Sequence, residues 1–155
     1  MSKKILIIGN TARVYSLAKK FAVNNEVFVA PGSPMIGEFA TNVDLRDASE
    51  ILEFVMENGI DLTIPVVRLE GIVELFNNNN QKIFAPSEAA SKLITDKVLM
   101  KKVLYKLRIP TPKFGIFEKP NMVMDYIKNL KNPFVIKTNE PSSAVVLTSQ
   151  KEAKT

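Results

Sequence analysis

Two periodicities alternate along this chain. Lys4 to Ile8 is a continuous apolar run closed by Gly9-Asn10, and beyond it Val14, Leu17, Ala18 and Phe21 recur at helical spacing between Arg13 and Val23. Glu26 to Ala30 repeats the strand pattern and stops at Pro31-Gly32, and Asn42 to Leu45 predicts a short third strand. Asp47 or Ser49 can cap a helix whose apolar face is Ile51, Leu52, Val55 and Met56 and whose end is Asn58-Gly59. Asp61 to Ile64, ended by Pro65, is a further strand; Leu69 to Phe76 is a helix, Asn77 to Asn80 a polar turn, and Lys82 to Ala85 a strand ending at Pro86. Strands that are apolar throughout, alternating with helices at short spacing, belong to a parallel sheet covered on both faces. The predicted fold class is therefore α/β, with a Rossmann-like parallel-sheet domain over residues 1–90.

The pattern changes after Pro86. Ser87 or Ser91 opens one short helix, and Thr95-Asp96 can cap another running to about Leu107. Arg108-Ile109-Pro110-Thr111-Pro112 must be extended, because two prolines forbid helix there. Residues 91–112 thus form a helical connector. Lys113 to Phe117 predicts a strand, Asn121 to Leu130 a helix, and Phe134 to Lys137 and Ala144 to Thr148 two strands disposed as a hairpin. Residues 113–155 read as part of an α+β lobe. The last five residues, K-E-A-K-T, read as the opening of a helix, which points to a truncated chain. Such a lobe leaves an apolar strand edge uncovered at Val145-Val146-Leu147, to be met by a missing carboxy-terminal portion or by a homodimer.

Composition narrows the chemistry by exclusion. With no His and no Cys, the chain offers no imidazole base, thiol nucleophile or ordinary zinc site. What remains are lysines, arginines, carboxylates, hydroxyls and backbone N–H groups, which bind phosphates and position substrates. The absence of cysteine also excludes a disulfide framework and fits a cytoplasmic protein. No apolar run approaches the length that crosses a bilayer, and M-S-K-K-I-L-I-I-G-N is a first strand, not a signal peptide. The net charge is +5, but the lysines are spread out (Lys3-Lys4, Lys19-Lys20, Lys101-Lys102, Lys128, Lys131, Lys151, Lys154) with no interleaved aromatic platform. That distribution argues for solvated helix faces over a nucleic-acid surface. The 155 residues are enough for one cored domain and a fragment of a second.

A series of short landmarks runs through nearly the whole chain: I-L-I-I-G-N, V-A-P-G, N-G-I-D-L-T, G-I-V-E-L-F, I-F-A-P-S-E-A-A-S-K-L, D-K-V-L-M-K-K, R-I-P-T-P and P-F-V-I-K. In this order they resemble the phosphoribosylamine–glycine ligase (glycinamide ribonucleotide synthetase) family of ATP-grasp enzymes of purine synthesis. The resemblance implies a Rossmann-like domain that binds phosphoribosylamine, followed by the first lobe of an ATP-grasp domain. It maps the phosphate-holding turn onto Gly9, Asn10, Thr11 and Arg13, at the start of a helix where anions are favoured. Thr11 and Ala12 stand where relatives have glycines, and Val14 and Tyr15 where they have an acidic residue and a histidine. Gly32 and Ser33 occupy the place of a second substrate turn, P-G-N in relatives. Where relatives carry G-P-E after a strand, this chain has Pro65-Val66-Val67, and Glu70 is the next carboxylate.

The resemblance further implies that Lys97 and Lys137 contact the phosphates of ATP as point charges, while Lys101 reads as a helix-surface residue. The glycine-rich loop of relatives corresponds here to Glu140-Pro141-Ser142-Ser143, with no glycine and, at Pro141, no N–H. ATP and Mg2+ are the implied cofactors. No catalytic residue or metal ligand is assigned within the chain, since the Mg2+ carboxylates belong to a later segment. The expected function is that of a phosphoribosylamine–glycine ligase-like protein performing ATP-dependent carboxylate–amine ligation, present as an incomplete chain. The alternative is a diverged, non-catalytic module that binds a ligand or a partner.

Overall fold

Every residue of β1 (Lys4–Gly9) after Lys4 is buried, so the strand must lie inside a sheet covered on both sides. In the computed structural model, which describes residues 2–130, 133–139, 144–148 and 152, that is its position. β2 (Glu26–Pro31) and β4 (Leu62–Pro65) flank β1 in parallel, and the two-residue β3 (Thr41–Asn42) pairs with β2, giving the order β3-β2-β1-β4. α1 (Ala12–Phe21) covers one face, where Val14 and Ala18 pack with Ile5, Ile7, Val27, Val29 and Ile64. α2 (Ala48–Asn58) and α3 (Ile72–Asn78) cover the other, setting Ile51, Val55, Ile72 and Phe76 on Leu6, Ile8 and Ala30. The cap of α2 is Asp47, whose Oδ1 accepts from the N–H groups of Ser49 at 2.8 Å and Glu50 at 2.9 Å, and Gly59 ends the helix at φ 62°.

These elements and the parallel sheet agree with the predicted α/β class. Three differences in the first unit are more than a shift of one or two residues at an element's end. The third strand is shorter and earlier than Asn42 to Leu45, and α3 starts at Ile72 instead of Leu69 because Gly71 turns left-handed at φ 72°. The predicted strand Lys82 to Ala85 is reduced to a parallel bridge between Thr63 and Ile83, made by Thr63 N–H to Lys82 O (3.0 Å) and Phe84 N–H to Thr63 O (2.9 Å). Pro86, with no N–H, cannot extend that ladder.

Contacts divide the chain into two units, Met1–Glu88 and Ala89–Thr155. α4 (Glu88–Thr95) begins at the division; α5 (Lys97–Lys106), α6 (Pro120–Ile127) and the antiparallel pair β5 (Phe134–Lys137) and β6 (Ala144–Leu147) follow. The hairpin register sets Phe134 beside Leu147 and Lys137 beside Ala144. Lys113 to Phe117 is not a strand. Its aromatic side chains turn onto helices instead: Phe114 meets Tyr105 edge-on with centroids 6.5 Å apart, and Phe117 packs on Tyr126 at 5.0 Å. A Cβ on Gly115 would fall within 2.4 Å of the Phe117 ring. Among the described residues, no helix is long and apolar enough to cross a membrane. Of the helix opening predicted at K-E-A-K-T, only Glu152 is described; the remainder lies outside the described residues.

Candidate phosphate and nucleotide sites

In the first unit the strand register builds a common edge. Gly9 lies beside Pro31 and Ile8 beside Pro65, so the loops after β1, β2 and β4 leave the sheet side by side. The chain order reverses between β1 and β4, and in open α/β sheets ligands bind outside the carboxyl ends of strands at such a reversal. Gly9 has φ 139°, and a Cβ there would stand 2.8 Å from Val14 Cγ2, 3.5 Å from Val67 Cγ1 and 3.8 Å from Val66 Cβ. Backbone conformation and packing thus both demand glycine. Val66 and Val67, of the segment Pro65-Val66-Val67 that lacks a carboxylate, lie against this glycine.

Thr11 is the N-cap residue of α1 but makes no side-chain cap, its carbonyl accepting from Tyr15 N–H at 3.0 Å. Asn10, Thr11 and Arg13 are exposed. Arg13 lies in a shallow open groove along α1 with Ala12, Ser16, Leu17 and Lys20. Gly32 and Ser33 share the edge with Gly9, but their geometry has an internal cause. At φ 72°, a Cβ on Gly32 would come within 1.9 Å of Asn42 Oδ1, and Ser33 O accepts from Asn42 Nδ2 (2.8 Å) and from the N–H groups of Ile36 (3.0 Å) and Gly37 (3.1 Å).

The carboxylate that does reach the β4–α3 loop is Glu88, which sequence reasoning did not single out. Its Oε1 accepts from Gly71 N–H at 3.2 Å and its Oε2 lies 3.8 Å from Arg68 Nη2. The available signal was Gly71 itself, a helix cap with no side chain to satisfy the first-turn N–H groups. Glu70 is exposed.

In the second unit, Asp96 caps α5 by accepting from Val98 N–H at 3.0 Å and Leu99 N–H at 2.9 Å. The Leu99 amide, foremost, holds the Asp96 carboxyl below its ordinary value; burial opposes this, and Asn139, the Val98 amide and Lys102 reinforce it. Lys97, the first residue of the helix, reaches the end of β5, where its Nζ donates to Thr138 O at 2.6 Å. Lys137 is the exposed last residue of the same strand. The two lysines foreseen at a phosphate edge are therefore brought to one strand end. Lys101 departs from its expected surface role: it is half-buried, donates to Thr111 Oγ1 at 2.5 Å and sits 5.1 Å from the centroid of the Phe114 ring. Glu140 to Ser143, the segment at the position of the glycine-rich loop, lies outside the described residues. No group of three or more acidic side chains among the described residues could hold a metal ion.

The parallel unit followed by helices and a small antiparallel sheet has the arrangement of an ATP-grasp protein's amino-terminal portion. A crystal structure of phosphoribosylamine–glycine ligase from Thermotoga maritima matches 96% of this chain and 37% of that one with a TM-score of 0.79 at 24% identity. N5-carboxyaminoimidazole synthetase from Staphylococcus aureus matches 99% of the chain and 43% of its own with a TM-score of 0.75 at 16% identity, which is a likeness of fold.

Residues 3–93 match the family described as phosphoribosylglycinamide synthetase, N domain, and the chain belongs to that family. It is 32% identical over 146 residues to phosphoribosylamine–glycine ligase of Caldanaerobacter subterraneus subsp. tengcongensis, covering 88% of this chain and 34% of the relative. It is 35% identical over 144 residues to that of Neisseria meningitidis serogroup B, covering 88% and 34%. The chain thus spans about a third of the length of the curated relatives it matches.

Proposed function

We propose that this chain is the amino-terminal portion of a phosphoribosylamine–glycine ligase-like protein that serves ATP-dependent carboxylate–amine ligation in purine biosynthesis, in the cytoplasm. The observation that carries this is the continuity of the match, which runs at 32% identity through 88% of the chain, across both compact units. On this proposal residues 1–90 form the amino-terminal domain, 91–112 the helical connector and 113–155 part of the ATP-grasp lobe. The Gly9-to-Arg13 turn, with Gly32 and Ser33, receives the sugar phosphate. Lys97 and Lys137 supply positive charge to a nucleotide triphosphate.

The described residues fit ATP in charge at the end of β5, and nucleotide bound there supplies the phosphoryl group that activates a carboxylate. They do not fit Mg2+, for which no acidic group of ligands is present among them, and no step is assigned to the metal. Glu140-Pro141-Ser142-Ser143 brings a negative charge and a missing N–H to the phosphate loop, so the isolated chain holds nucleotide weakly. Calorimetry with Mg·ATP tests this: binding weaker than about 1 mM, roughly −4 kcal/mol, is expected. A micromolar constant abolished by Lys137→Ala would contradict it.

A second reading, a diverged module that binds a ligand or partner without catalysis, is favoured by Val66 and Val67 packed over Gly9 where relatives place a carboxylate. Ligase activity of the chain joined to the carboxy-terminal portion of a relative separates the two, activity supporting the first and inactivity with retained phosphate binding the second.

A further inference from the structure

Asn139 occupies the space between the end of β5 and the first turn of α5. Its Nδ2 donates to Asp96 Oδ1 at 3.2 Å, and its Oδ1 accepts from Lys97 N–H at 3.2 Å. The opposite amide orientation would set oxygen against carboxylate and NH2 against N–H, so the partners themselves determine which way the group points. Asp96 Oδ1 therefore receives three donors, two from its own helix and one from 43 residues away. Beside this bridge, Lys97 Nζ is held on Thr138 O at 2.6 Å.

We propose that Asn139 is a positioning residue: its carboxamide ties the end of β5 to the start of α5 and so fixes the Lys97 ammonium at the strand end assigned to nucleotide phosphates. Its functional part rests on that nucleotide assignment; the clamp itself rests on the two Asn139 hydrogen bonds. An acid at position 96 is compatible with an amide at 139, which both donates and accepts, and incompatible with a second acid. The carboxylate introduced by Asn139→Asp would still accept from Lys97 N–H but would set two carboxylates about 3 Å apart, where one proton is shared and one pKa rises. The charged groups of the neighbouring elements are Lys97, Lys101, Lys102 and Lys106 on α5, Glu88 and Lys92 on α4 and Lys137 on β5, and of these Lys102 acts on the Asp96 carboxyl.

The test uses the 155-residue chain, with NMR-detected hydrogen exchange at Lys97, Val98 and Leu99 and titration with Mg·ADP. Against the parent at the same pH, Asn139→Asp should exchange about five- to tenfold faster near pH 7.5 and bind Mg·ADP more weakly by a similar factor. Because repulsion between the two carboxylates raises one pKa of the pair, the clamp re-forms as pH falls, and the difference should shrink toward acid pH. Asn139→Ala, which removes both contacts without adding a charge, should exchange faster by a similar factor at every pH. Parent-like exchange in Asn139→Asp at every pH, or in Asn139→Ala, overturns the clamp. The exchange pattern without any change in Mg·ADP affinity overturns the nucleotide assignment and with it the positioning role. If Asn139→Asp unfolds altogether, Asn139→Ala decides alone: faster exchange at Lys97, Val98 and Leu99 with weaker Mg·ADP binding supports the proposal, and parent-like exchange overturns it.

Discussion

Replacing Thr63 by valine should stabilise the first unit. Thr63 lies at the centre of β4 and is 0% exposed; its backbone N–H and C=O are both engaged with the Lys82–Phe84 segment. Its Oγ1 is buried and has no hydrogen-bond partner among the described residues. A buried hydroxyl without a partner carries a desolvation cost of about 1–3 kcal/mol, and valine puts a methyl group of nearly the same shape in its place. The expected gain is about 1–2 kcal/mol, a rise of roughly 0.5–1 M in the urea midpoint for a slope near 2 kcal/mol/M. Thr63→Ser is the control, since it keeps the hydroxyl and removes the methyl, at a cost of about 1 kcal/mol. Urea unfolding followed by circular dichroism should thus rank Val above Thr above Ser at unchanged slope. A valine variant that unfolds earlier than the parent would mean that the hydroxyl is satisfied, and the reasoning fails.

Gly9→Ala should destabilise by about 2–5 kcal/mol, combining the strain of a positive φ with overpacking against Val14, and an unchanged thermal midpoint would contradict the geometry of that turn. Asp61 accepts from Lys3 Nζ at 2.7 Å and Lys4 N–H at 2.8 Å, and the Lys3 bond, followed by the Lys4 amide, lowers its pKa. A depressed carboxylate contributes stability that is present above the unfolded pKa of about 4 and lost as pH falls through the folded value, so Asp61→Asn should flatten the acid limb of a stability–pH curve; an unaltered limb would refute the assignment. The exposed Val145 and Val146 of β6 should make the chain self-associate at about tens of micromolar, with Val146→Lys reducing it; a parent that scatters light as a clean monomer would remove this expectation.

Burial on both faces made β1, β2 and β4 legible, because a strand without a polar side has few places to go. The caps at Asp47 and Asp96 were legible too, since the acceptor and its donors lie within three residues of each other. The stretch from Lys113 to Phe117 was misread: apolar residues spaced as in a strand also suit an irregular segment whose rings pack on helices, and only a pairing partner distinguishes them. At the site, the positions of Gly9 and Lys97 followed from local pattern and family order. What escaped was long-range: Gly32 is required by Asn42, Gly71 is served by Glu88, and Asn139 meets Asp96. Each partner depends on where the fold delivers a side chain from another element, and no local periodicity encodes that.

The sugar-phosphate assignment of the Gly9 turn is tested most directly by NMR titration of the 155-residue chain with ribose 5-phosphate. The account predicts saturable shifts of the Gly9-to-Arg13 amides, accompanied by Gly32 and Ser33, that Arg13→Ala abolishes while leaving the remaining spectrum unchanged. Shifts confined to the second unit, or an unperturbed Gly9-to-Arg13 turn at millimolar ligand (about the weakest affinity consistent with a specific site), would contradict it.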